Sequence, residues 1–251
     1  MLRLICMLLL LAVPARGAEL PVAEPLHPSP NFTQAGPASA KGALVWLHGS
    51  YDTDTQHTPP AEPSWIARLA HHGFDIWRFD RTPGRDPLTP GGEALARGLA
   101  ALRDGGYRQI LVAGHSRGAW IALTALAHPG LADAVIALSP AAHGTRPERR
   151  AQAMADWTAL WQAARPAATR IVLVQLADDP LDPDPPRRRA IAREAATRDG
   201  LRLLSVFLPS APRGHIGAYE PDFDRLLAPQ IVAFVDRPAA IHSARWQPAP
   251  R

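Results

Sequence analysis

The residues best placed to do chemistry are Ser116 and a few polar groups that, like it, follow short apolar runs. Ser116 is the centre of Gly114-His115-Ser116-Arg117-Gly118. The pentapeptide follows a β-rich run over 109–113 and precedes a helical run over 119–127. Strand, sharp turn and helix with a serine at the apex make the G-x-S-x-G nucleophile elbow. Such a turn strains the serine backbone and lifts its hydroxyl clear of the sheet. The flanking glycines are needed because strand and helix backbones come too close for side chains. The helix that starts there turns its N–H groups and dipole toward developing negative charge. Five residues with three fixed positions also occur by chance, and it is the strand before and the helix after that separate this case. A serine hydroxyl alone is a weak nucleophile, so the chemistry requires a base and an orienting carboxylate downstream. His215 is the candidate base, and Asp178, Asp179, Asp182 and Asp184 are the candidate acids.

These groups are positioned by a repeating pattern. Short apolar runs at 43–47, 109–113, 133–138, 171–176 and 201–208, and an alternating run at 74–80, read as strands. Helical runs at 63–72, 91–104, 119–127, 148–164, 186–198 and 222–235 fall between and after them. Alternating β and α with near-continuous hydrophobic strands predicts a parallel sheet covered by helices on both faces. In such a sheet the functional loops lie at the carboxyl ends of the strands. His48, Ser116, Asp179 and His215 all follow predicted strands and therefore share one edge. The helix at 148–164 carries Trp157 and Trp161 at helical spacing, which reads as core or cap packing. The arginines of 186–198 read as a solvated face.

Composition narrows the classes. The chain has 251 residues, 47% of them hydrophobic, which fits one sizeable α/β domain. The net charge of +4 comes almost wholly from arginine, since Lys41 is the only lysine. No basic stripe interleaved with aromatics and no nucleic-acid motif is present, so no nucleic-acid partner is expected. Arg3 followed by an apolar run over 4–13 and small residues over 14–18 reads as a signal peptide with cleavage after Gly17. The run is shorter than the ~20 residues that span a bilayer, so no stable membrane insertion is expected after cleavage. The destination is the periplasm or the outside of the cell, with an uncleaved anchor as the alternative. The one cysteine, Cys6, lies in the segment removed. Residues 18–40 form a proline-rich arm, 41–236 the folded domain and 237–251 a proline-rich tail. Asn31-Phe32-Thr33 is a glycosylation sequon, a short pattern that a polar turn also produces. Asp52, Asp54 and His57 match no defined metal spacing and read as a solvated loop, so neither metal nor cofactor is expected.

Taken together, the chain resembles the α/β-hydrolase superfamily. The residues that carry the resemblance are Leu47-His48-Gly49, the pentapeptide around Ser116, the acidic cluster after Leu176, and Gly214-His215. The family order is serine, then acid, then histidine. The resemblance implies His215 as base, since the base comes last, and leaves His48 a structural role in its loop. It implies Asp179, which precedes Pro180, as the acid; Asp182, which precedes Pro183, is the alternative. It also implies an oxyanion hole made by the backbone N–H groups of Ser50 and Arg117. Two departures stand out. The hairpin common at the family's N-terminus has no counterpart in the proline-rich arm, so about six strands are expected. No large cap is evident. The expected function is a secreted or periplasmic serine hydrolase cleaving carboxylic esters through an acyl-enzyme, and an open site suits small or extended esters. A peptidase or amidase would use the same triad, and a non-catalytic binding protein could keep the same fold.

Overall fold

The computed structural model describes residues 25–50, 59–81, 87–165 and 168–237. Seven strands form one sheet in the order β1-β3-β2-β4-β5-β6-β7. They are β1 (Leu26–Pro28), β2 (Gly42–Leu47), β3 (Phe74–Phe79), β4 (Ile110–His115), β5 (Ala134–Leu138), β6 (Arg170–Gln175) and β7 (Arg202–Phe207). Strands β2 to β7 pair in parallel, and β1 alone runs antiparallel. β2 to β6 are buried along their whole length, which is why most of them read as near-continuous apolar runs; β3 also buries Asp75 and Arg78.

Each strand still alternates. Val45 and Leu47 of β2 face one hydrophobic cluster, while Leu44 and Trp46 face the other. The first cluster lies under α2 (Leu88–Asp104), α3 (Arg117–Thr124), α4 (Arg150–Ala163) and α5 (Pro185–Arg198). The second lies under α1 (Ile66–His71) and α6 (Ala228–Val235). Helices on both faces are thus present, as the pattern predicts. α5 begins where the sequence demands it: the Asp184 carboxylate accepts the Arg187 N–H at 3.2 Å, and Pro185 occupies the first turn. α2 starts earlier than expected, taking in Leu88 to Pro90, because proline is tolerated in a helix's first turn. The predicted closing helix is present, with a π-helical turn at Phe223–Leu227 leading into α6. Among the described residues no helix is long and apolar enough to cross a membrane.

The sheet has one strand more than expected. Leu26 pairs with Phe79, His27 with Arg78 and Pro28 with Trp77, which places part of the proline-rich arm on the sheet edge. Proline is compatible with an edge strand because its missing N–H is not needed there. The arm is anchored again further on. The Asp75 carboxylate, buried in β3, accepts the N–H groups of Ala35 at 2.7 Å and Gly36 at 2.8 Å and the Tyr107 hydroxyl at 2.6 Å. Leu26 itself joins the core beside Gly98 of α2. Three residues flanked by prolines have no periodicity to read, so the sequence gives no sign of this strand.

Candidate active site

Ser116 links β4 to α3 with φ 55° and ψ −120°. Only glycine adopts such a φ without strain, so the surroundings must hold it. They do so through three backbone bonds: Ser116 N–H to Leu138 O at 3.0 Å, and Ser116 O from Ala141 N–H and Trp120 N–H, both at 3.1 Å. The flanking glycines are required by packing. A Cβ on Gly118 would lie 2.3 Å from the Leu47 carbonyl oxygen, and one on Gly114 would lie 2.4 Å from the Gly118 carbonyl carbon. The strain is not confined to the elbow. The described non-glycine residues with positive φ are Ser116, Ser139, Asp178 and Leu208. They follow β4, β5, β6 and β7 in turn, all on the carboxyl edge of the sheet.

The same edge brings the other candidates together. His215 Nδ1 lies 2.9 and 3.0 Å from the two carboxylate oxygens of Asp179. Asp179 is almost wholly buried, and its Oδ1 also accepts the Leu181 N–H at 2.9 Å. An ionised carboxylate can only accept, so Nδ1 of His215 carries the proton and Nε2 is left as the basic nitrogen. The loop bearing His215 is tied to the acid loop, with Gly214 N–H on Ala177 O at 2.7 Å and Arg213 paired with Asp178. The four competing acids are therefore sorted by partner. Asp178 is exposed on its arginine, Asp184 caps α5, and only Asp179 meets His215. Asp182 is not brought to His215. Its carboxylate is buried against Arg188 and Gln175, each at 2.8 Å.

Gly49 lies against the elbow, where a Cβ would sit 3.2 Å from His115 Nδ1 and 3.3 Å from Ser116 Cβ. This packing sets Ser50 beside α3, and Arg117 Nε donates to Ser50 Oγ at 3.1 Å. The N–H of Arg117 is the first of α3, in the turn that has no intrahelical acceptors. His48 is fully buried. It accepts the Arg81 N–H at Nε2 (3.1 Å) and donates from Nδ1 to Gly49 O (2.6 Å), a role in shaping the loop. Asp52, Asp54 and His57 lie outside the described residues.

Two further residues here are not marked by motif or spacing. His115 donates from Nε2 to the His215 carbonyl at 2.8 Å, with its ring 4.8 Å from the His215 ring and edge-on to Tyr219. Burial pushes its pKa down to about 4, so it is neutral beside the candidate base. Burial likewise pushes the Tyr219 hydroxyl up to about 12. The second is Arg188, expected on a solvated face. It is 1% exposed and lies over Trp157, 4.0 Å from the ring centre. Trp157 and Trp161 are fully buried in the core, as their spacing predicts.

The match to the α/β hydrolase family model spans residues 44–250. The chain belongs to the α/β hydrolase family. Comparison with curated protein sequences found no match. Among solved structures, this hydrolase is similar to the Pyrococcus furiosus esterase Pf2001, with 14% identity and a TM-score of 0.55 over 80% of this chain and 84% of that one. A Lactobacillus plantarum lipase/esterase is 14% identical, with a TM-score of 0.54 over 77% of this chain and 86% of that one. Porphyromonas gingivalis dipeptidyl peptidase 4 is 16% identical, with a TM-score of 0.58 over 84% of this chain but 33% of that one. At these identities the likeness is one of fold.

Proposed function

We propose that this α/β hydrolase cleaves small carboxylic esters by acyl transfer to Ser116, with His215 as general base and Asp179 as its orienting acid. The observation that carries the reading is the two-oxygen contact of Asp179 with His215 Nδ1, made on the sheet edge where Ser116 is held at positive φ. His215 Nε2 takes the Ser116 proton as Oγ attacks the ester carbonyl carbon. The carbonyl π electrons move onto oxygen, where the N–H groups of Ser50 and Arg117 receive the charge. Collapse expels the alkoxide, which leaves as the alcohol with the proton from His215. Water, deprotonated by His215, then attacks the acyl-enzyme and releases the acid and Ser116. Esters are favoured over peptides because the chain matches the esterase neighbours over most of their length, whereas it spans a third of the peptidase. We also propose export to the periplasm or beyond through the signal peptide at 1–17.

Labelling with a fluorophosphonate probe tests the mechanism. Wild type is expected to react, with labelling lost in Ser116→Ala and reduced by at least about a thousandfold in His215→Ala. Hydrolysis of short p-nitrophenyl esters should follow the same pattern. Absence of labelling in folded wild type would sink this mechanism and favour a binding protein on the same fold.

A further inference from the structure

Arg188 is an arginine sealed in the interior of a helix whose other arginines read as solvent-facing. Its guanidinium is held on three sides. Nη1 donates to Asp182 Oδ1 at 2.8 Å, Nη2 donates to Pro140 O at 2.8 Å, and the plane lies over Trp157, with Trp120 at 5.5 Å. The two polar partners belong to different loops. Pro140 follows β5 and immediately precedes Ala141, whose N–H holds the Ser116 carbonyl. Asp182 follows β6, and its own N–H bonds to the Asp179 carbonyl at 3.3 Å. One cation therefore bridges the shoulder of the elbow and the loop that carries the acid. Burying an arginine is costly, and removing one partner of such a pair leaves an uncompensated charge. A single hydrophobic residue would have filled the space more cheaply.

We propose that Arg188 is a positioning residue of this hydrolase. With Asp182 it locks the acid loop against the nucleophile's shoulder and balances the charge felt by the Asp179–His215 pair. This inference rests on the Ser116–His215–Asp179 reading. Burial lowers the Arg188 pKa, and the Asp182 and Asp179 carboxylates oppose that fall. Among the described residues, other ionisable groups lie close to these. His143, paired with Asp156 at 2.7 Å, contacts Trp120, which also neighbours Arg188. His215 faces Asp179 and the neutral His115, with the Asp178–Arg213 pair on the adjoining loop.

The charges give opposite signs to two substitutions. Removing the cation in Arg188→Met leaves Asp182 and Asp179 as neighbouring anions, which favours protonated His215 and raises its pKa. Removing the anion in Asp182→Asn leaves the cation in place and lowers it. Each shift is expected to be roughly half to one pH unit, and the Arg188→Met/Asp182→Asn pair should return close to wild type. A purely structural loss would move both single variants the same way or neither. The measurement is the His215 pKa by NMR titration, with the signal assigned by its disappearance in His215→Ala and folding checked by circular dichroism. Opposite shifts support the proposal; equal, same-sign or absent shifts overturn it. Should one single variant not fold, the sign of the other decides. Should neither fold, Arg188→Met/Asp182→Leu, which leaves no charge unpaired, decides through kinetics. A kcat lowered at least about tenfold with KM unchanged supports the bridge, and wild-type kcat overturns it. The titration needs no turnover. Its failure is thereby distinguished from a failure of the hydrolase reading, which the fluorophosphonate probe reads on wild type.

Discussion

His115 occupies a position of the pentapeptide that the motif leaves open to any residue, yet the fold gives it a defined place. Its Nε2–H holds the His215 carbonyl, and it is buried with a pKa of about 4 against an ordinary 6.5. The unfolded chain therefore binds a proton that the folded chain refuses. The stability from keeping His115 neutral is full above pH 6.5 and is lost as the pH falls toward 4, on the order of 3 kcal/mol in all. His115→Gln can donate the same bond without titrating. Its urea-unfolding free energy is expected to fall less than that of wild type between pH 7 and pH 4.5; an equal fall would show that His115 is not the titrating group. The sequence separates residues by type and order, and not by partner. Asp179 and Asp182 both precede a proline, and only the fold shows that one meets His215 and the other Arg188. Arg188 is misread for the same reason, since a helix with five arginines offers no mark of which one turns inward.

The turns at the strand ends set the geometry of the site more than the strands do. β4, β5, β6 and β7 each lead into a non-glycine residue held at positive φ, so the carboxyl edge concentrates backbone strain next to the candidate chemistry. The elbow shows what that requires of packing. Gly118→Ala drives a methyl group into the Leu47 and His48 carbonyls, which are backbone and cannot rotate away. The variant is expected to lose about 3 kcal/mol in denaturant unfolding and to label far more slowly at Ser116. Wild-type stability would mean that β2 and α3 are less tightly apposed than described. Most of the parallel strands were legible because β2 to β6 are buried on both faces and largely apolar. β1 was not, because an edge strand of three residues with a proline is defined by its neighbour, β3, and not by its own side chains.

Different parts of the molecule carry the candidate chemistry and the anchoring of the sheet. Loops at the carboxyl edge carry Ser116, Asp179 and His215, while the arm secures the sheet from the outside. That order, serine then acid then histidine on a β-α repeat, is what made the family visible from composition and sequence alone. The contribution of the arm can be measured. A chain starting at residue 41 loses β1, the Leu26 contact in the core and two of the N–H donors to buried Asp75. Its melting temperature is expected to lie roughly 10 °C below that of a chain starting at residue 18. Equal melting temperatures would relegate β1 to decoration. The arm also bears on maturation. The cleavage proposed after Gly17 would leave a margin of eight residues before Leu26. A second protease trimming beyond that margin would uncover the side of β3, an open edge with which another molecule's strand can pair. If the proposed cleavage occurs, the place where the N-terminus ends decides whether the β3 edge stays covered.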